Sequence, residues 1–418
     1  MKQTRRFLIT YWCGVPSKFL LDANGEVDVS RFEEMKEAGL NLVIASYSPE
    51  YNKKVLKICE ELGLEVILHD GRIWQAIGDE EKRREYLSDM VEDYKDYPAL
   101  HSYHIIDEPT ADNFPMLASI REILHELDPV HEAYINLFPN YASPEQLKSP
   151  SYDDHIEDYI NTVKPEIVCY DHYHFLTKNP VATPNIVGDD RERMIIEAAV
   201  NKVERAGFFD NFEIVRQRSL DHNLPYMIIV LLVAHGPYRY LSEAEIRWEV
   251  FQSLAYGSSR MSYFTYWTPG IDGADNDDFW KWNNGMITQD GKRTEHYYMV
   301  KDINAELGAM GEELAGKRSI GVFHTNSAPE TRTSLFTSFG SVKKIDGDDL
   351  TVGFFEDGLA VFANKSYEDE AEATIFTDDT LEIFDPSDKE WIALDNDGGK
   401  YTISLEAGDG LLVRFVNK

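Results

Sequence analysis

The chain has 418 residues, more than one hydrophobic core usually fills, so a large domain with a smaller one beside it is expected. Against 74 acidic residues stand 41 basic ones, a formal charge of -33 that disfavours nucleic acid, anionic membrane surfaces and polyanionic substrates. The three cysteines, Cys13, Cys59 and Cys169, lie in apolar patterns without metal-type spacing, and no run of about 18 apolar residues predicts a membrane span.

Residues 1–15 imitate a secretory leader, with Lys2, Arg5 and Arg6 ahead of an apolar run. That run is short, carries Tyr11 and Trp12, and lacks a small-residue cleavage site, so it reads as a first strand and the chain as cytoplasmic. Further strands are predicted at 41–47, 65–69, 102–106, 133–137, 166–170, 227–234 and 261–267, with helical periodicity between them. Capping boxes Ser30/Glu33 and Ser242/Glu245, and a helix opened by Ser48-Pro49 and closed by Gly63, support the intervening helices. Eight strand–helix units predict a (β/α)₈ barrel over residues 1–316, and the absence of a glycine-rich loop after the first strand argues against a doubly wound sheet.

Beyond residue 317 the pattern becomes short period-2 strands, at 320–324, 350–355, 359–364, 373–376, 381–384, 401–405 and 410–415. These predict an antiparallel β-sandwich over 317–418, a buttress rather than a binding module because it carries no aromatic strip.

Barrel enzymes work at the C-terminal ends of their strands, and this chain concentrates polar and aromatic residues there. Strand four ends in Tyr103-His104-Ile105-Ile106-Asp107-Glu108-Pro109, two adjacent acids where Pro109 stops the ladder. The other ends supply Tyr11, Trp12, His69, Arg72, Asn136, Asp171, His172, Tyr173, His174, His235, Tyr266 and Trp267. Aromatic faces with planar polar groups suit a sugar ring, so a carbohydrate substrate is expected, with no cofactor. His172 and His174 have the spacing of a metal pair, but no further ligands stand at clear spacing and no metal is expected. His101 and His104, earlier in strand four, read as core or helix-facing.

Asp107-Glu108-Pro109, Tyr263-Phe264-Thr265-Tyr266-Trp267 and Ala407-Gly408-Asp409-Gly410-Leu411-Leu412 together resemble the barrel glycoside hydrolases of clan A and their β-galactosidase-like relatives. The resemblance implies a glycosidase with Glu108 as general acid/base. It also shows two departures: Asp107 stands where the clan carries Asn, and the seventh strand ends in Val233-Ala234-His235 without the expected nucleophilic Glu. Asp171 can replace that acid. So can Asp107, because the adjacent pair resembles family 123 N-acetyl-β-galactosaminidases, in which the Asp orients a substrate acetamido group; Tyr173 or Tyr266 would then hold the acetamido oxygen. A sugar-binding barrel without catalysis and a metal-dependent sugar isomerase or lyase are the alternatives.

Overall fold

The computed structural model describes residues 6–178, 201–270 and 282–417. In chain order its first ten strands are β1 (Leu8–Tyr11), β2 (Leu42–Ala45), β3 (Glu65–Leu68), β4 (Leu100–Asp107), β5 (Glu132–Leu137), β6 (Val168–Asp171), β7 (Phe175–Thr177), β8 (Lys202–Glu204), β9 (Tyr226–Leu231) and β10 (Arg260–Phe264). Eight of them form one parallel sheet in the order β1-β10-β9-β6-β5-β4-β3-β2, while β7 and β8 make a separate antiparallel pair. All eight strands predicted for the barrel are present, and the sheet curls into a nearly closed barrel.

Asn41 spans the seam between β1 and β2. Its backbone N–H donates to Ile9 O at 3.0 Å, its Oδ1 accepts from Ile9 N–H at 2.9 Å, and its Nδ2 donates to Phe7 O at 2.8 Å. One side chain thus satisfies backbone groups that a ladder would otherwise pair.

Period-2 alternation divides the strand residues between two cores. Leu8, Leu42, Ile67, Tyr134, Cys169, Met227 and Ile229 fill the barrel's interior, whereas Ile9, Val43, Ile105, Ile135 and Val230 join the layer under the helices. Across the interior, Arg260 of β10 grips Glu132 of β5 through two bonds of 2.6 and 2.7 Å.

The helix termini follow the sequence signals with one correction. Ser242 and Glu245 form the predicted box, and Gly63 closes helix Pro49–Leu62 at φ 70. Helix Val29–Glu37, however, starts before Ser30: Asp28 is its N-cap, its Oδ1 accepting from Ser30 N–H at 3.1 Å and from the Ser30 hydroxyl at 2.6 Å, so the serine lies inside the first turn.

Nine more strands follow: β11 (Ser319–His324), β12 (Val342–Gly347), β13 (Leu350–Phe355), β14 (Leu359–Asn364), β15 (Ala371–Thr377), β16 (Thr380–Asp385), β17 (Glu390–Ala393), β18 (Lys400–Leu405) and β19 (Gly410–Val416). They form a six-stranded sheet, β11-β13-β14-β19-β16-β17, facing a three-stranded one, β12-β15-β18, around Val352, Phe362, Ile375 and Ile403. The sequence does not announce β12 and β17: a register shift between Val342 and Lys344 breaks the alternation of β12, and β17 buries none of its residues.

The six-stranded sheet turns its other face to the barrel. Phe355, Val361, Ala363 and Leu412 belong to the barrel's helix-layer core, and helix Glu243–Tyr256 is buried along most of its circumference between the two. The approach is close enough to require glycine at Gly353, where a Cβ would stand 1.7 Å from Ala255 O. Among the described residues no helix is long and apolar enough to cross a membrane.

Candidate active site

Asp107 is the last residue of β4, and Glu108 follows in the left-handed region at φ 45, its N–H donating to Asn136 O at 2.9 Å. A glutamate in that region is uncommon and costs backbone strain, as at many working sites. Asp171 ends β6 and is 4% exposed. Between them stands Asn136 of β5, whose Nδ2 donates to Asp107 Oδ1 at 2.9 Å and to Asp171 Oδ1 at 3.0 Å. Adjacent parallel strands place these acids at one rim, so three carboxyl groups share a small volume.

Their charges oppose one another. Burial and then the Asp107 charge raise Glu108 to about 7. Burial, followed by Glu108 and Asp107, drives Asp171 well above the carboxylate range. Asp107 is exposed at the rim, yet burial of its inner side raises it too, against the pull of the Asn136 amide. At neutral pH the cluster therefore keeps protons that isolated carboxylates would lose.

An aromatic wall lies beside the acids. Tyr173 packs on Phe264 with ring centroids 5.2 Å apart and on Tyr238 at 5.4 Å, and its hydroxyl feels the charges of Asp171, Asp107 and Glu108. His235 stacks on Trp282 at 4.4 Å and is held neutral by burial, its pKa lowered to about 4. Arg205 lies 3.8 Å from the centre of the Tyr141 ring and donates from Nε to Tyr173 O at 3.1 Å.

A depression of about 250 Å³ opens at the same end, lined by Trp12, Ser46, Tyr47, His69, Trp74 and His104 among others. His104 thus lines the mouth rather than the helix layer, with its ring 5.4 Å from Trp12, 5.6 Å from Tyr134 and 5.3 Å from His69. The register shift in β4 between His104 and Ile106 accompanies this placement. Burial lowers both His69 and His104, the latter to about 3, so both are neutral hydrogen-bonding rings. A cavity of about 310 Å³, lined by Arg6, Arg216, Arg260 and Arg318, lies at the opposite end of the strands, away from the acids.

Several residues expected at the mouth lie elsewhere. Tyr11 turns to the helix layer, where its hydroxyl meets Met35 Sδ at 3.1 Å; alternation brings its neighbour Trp12 inward instead. Tyr266 donates to Glu34 Oε2 at 3.2 Å, and Trp267 packs on Phe19 at 5.1 Å, because the chain beyond Phe264 runs over the end of β1 through Tyr266 N–H to Trp12 O and Trp267 N–H to Cys13 O. Arg72 stays just past the mouth-side end of β3, its guanidinium held by Asp70 and Asp93, each at 2.8 Å. His172 is fully buried behind Tyr141, its Nδ1 3.1 Å from Asn211 Oδ1, and His174 stacks on Trp248 at 4.9 Å. Among the described residues no group of three or more His, Cys, Asp or Glu is placed to hold a metal ion.

Trp74, which with Arg72 suits a substrate loop after the third strand, lines the depression, whereas Arg205, Tyr141, Tyr238, Phe264 and Trp282 were not foreseen as site residues. Tyr141 and Tyr238 lie a few residues beyond predicted strand ends, which is the one signal that could have found them. Arg205 follows the β7–β8 pair and has no such mark.

No protein-family model matches the chain. No curated protein matches it either. Among solved structures, a glycoside hydrolase family 5 protein from Bacteroides vulgatus superposes at TM-score 0.58 and 11% identity, covering 99% of this chain and 89% of that one. A second structure described as a glycoside hydrolase gives TM-score 0.55 and 10% identity over 97% of this chain and 96% of that one. The chain spans 50% of a β-glucuronidase from an uncultured Clostridium, at TM-score 0.44 and 12% identity. At such identities the first two likenesses establish a shared barrel fold.

Proposed function

We propose that this chain is a glycoside hydrolase in which Glu108 is the general acid/base and Asp107 and Asp171 form the second, amide-bridged carboxylate pair. The observation that carries the proposal is a proton-holding Glu108 beside two further acids at the C-terminal rim of the barrel. Protonated up to about pH 7, Glu108 donates its proton to the glycosidic oxygen as the C1–O bond breaks. The oxocarbenium-like centre that develops at C1 is stabilised by negative charge on the bridged pair. Glu108, now a carboxylate, then takes a proton from the incoming water.

Asp107 is the ionised member of the pair, because it is exposed to water whereas Asp171 is buried among like charges. Trp12, Trp74, His69 and Tyr173 supply the apolar faces and neutral polar atoms that a sugar requires. With Tyr266 turned to the helix layer, Tyr173 is the tyrosine beside the acids that suits an acetamido oxygen. The β-sandwich over residues 317–418 serves as a buttress against helix Glu243–Tyr256.

A panel of aryl glycosides with and without a 2-acetamido group tests this reading. Release of phenol by the protein and its loss in Glu108→Gln are expected; no release from any member, or release unchanged in the variant, overturns it. Turnover confined to 2-acetamido sugars assigns Asp107 to orienting that group. Turnover of plain glycosides instead routes the reaction through Asp171.

A further inference from the structure

Cys169 lies on β6 in the barrel interior and is fully buried. Its sulfur has two polar neighbours, Asn136 Oδ1 at 3.3 Å and the Tyr134 hydroxyl at 3.3 Å. The proton directions follow from valence. An amide oxygen only accepts, so the S–H points to Asn136; the single thiol proton is then committed, and the Tyr134 O–H donates to sulfur. With Oδ1 anchored there, the amide must present its NH₂ to Asp107 and Asp171, at 2.9 and 3.0 Å. Burial pushes the Cys169 thiol up, which keeps it a neutral donor over the working pH range.

We infer that Cys169 is a positioning residue for the acid cluster: through the side-chain amide of Asn136, its S–H holds Asp107 and Asp171 on one nitrogen. A buried cysteine is ordinarily a small apolar filler. Here a filler of equal size would leave Asn136 Oδ1 without a donor and the amide free to turn. Turned about, it would set its oxygen against two carboxyl oxygens and withdraw the N–H groups that favour their ionised forms.

The consequence for catalysis rests on the glycosidase reading, but the positioning itself does not, and the two are measured separately. Asp107 is faced by Glu108, Asp171, Tyr134 and Tyr173; Asp171 is faced by Glu108, Asp107, Tyr141, Tyr152, Tyr173 and Tyr238. Carboxyl-carbon NMR titration of the intact protein follows these acids without any substrate. In Cys169→Val, and in Cys169→Ala as the variant free of added bulk, the Asp107 and Asp171 midpoints are expected to rise by about half a pH unit or more. Cys169→Ser retains a donor and is expected to restore the original midpoints. In the kinetic pH profile on a hydrolysed aryl glycoside, the acidic limb should move by the same amount in the Val and Ala variants, with KM unchanged.

Midpoints unmoved in whichever of the Val and Ala variants folds with the original melting curve overturn the inference, as does a serine variant that shifts them equally. A titration that moves in a protein cleaving no glycoside keeps the positioning role and removes the proposed function. Glycoside cleavage with unmoved midpoints does the reverse.

Discussion

Asp107 and Asp171, carried on strands that are not neighbours in the sheet, accept from the same nitrogen: Asn136 Nδ2 lies 2.9 Å from Oδ1 of the first and 3.0 Å from Oδ1 of the second. The strand between them supplies the bridge. Because one amide serves both, the two acids are linked, one end exposed at the rim and the other buried and pushed well above the carboxylate range; on the proposed reading the exposed end, Asp107, is the ionised one.

This asymmetry predicts unequal costs for neutralising either acid. Asp107→Asn removes the ionised member and is expected to lower kcat by about 10³-fold, whereas Asp171→Asn, which replaces a protonated group, lowers it by about tenfold. Steady-state kinetics of the two variants give the comparison. The opposite order would make Asp171 the working carboxylate.

The raised Glu108 also predicts a pH dependence of folding. An unfolded glutamate titrates near about 4.3, whereas Glu108 in the fold titrates at about 7. The folded state therefore binds the proton more tightly, so its contribution to stability is complete below pH 4.3 or so and is lost as pH rises through about 7. The loss is at most about 4 kcal/mol, shared with Asp107 and Asp171. Glu108→Gln does not titrate. In urea unfolding, its stability relative to the original protein is expected to rise between pH 5 and pH 8; a constant difference would contradict the raised value.

Trp74 is 53% exposed at the edge of the depression that it shares with Trp12 and His69, with its ring 5.7 Å from His69. If it stacks on a bound sugar, Trp74→Ala raises KM about three- to tenfold and leaves kcat unchanged. A fall in kcat at constant KM would place it outside substrate binding.

The seat of the C-terminal sheet on the barrel is testable at Gly353. A Cβ there would stand 1.7 Å from Ala255 O, so Gly353→Ala must push the sheet off helix Glu243–Tyr256 and should cost about 3 kcal/mol in chemical denaturation. Unchanged stability would mean that the contact yields freely.

The eight barrel strands were legible because each is a short apolar run bounded by helix caps, and the Asp107-Glu108 pair because a proline stops the strand behind it. Orientation at strand ends was not. Tyr11 and Trp12 look alike in sequence, yet alternation sends Tyr11 to the helices and Trp12 to the interior; an error of one residue in phase exchanges them. Past Phe264 the strand period no longer applies, which is why Tyr266 and Trp267 leave the mouth. The bridging of Asp107 to Asp171 was illegible for another reason: it depends on the side chain of Asn136 reaching both acids, and no spacing along the chain records that.

The central claim is that Glu108 gives its proton to a glycosidic oxygen. It is tested most directly by comparing Glu108→Gln with the original protein on aryl glycosides of graded leaving-group acidity. The account predicts a loss of about 10³-fold for phenols that need protonation and a much smaller loss for dinitrophenolate, which does not. An equal loss across the series, or none at all, would contradict it.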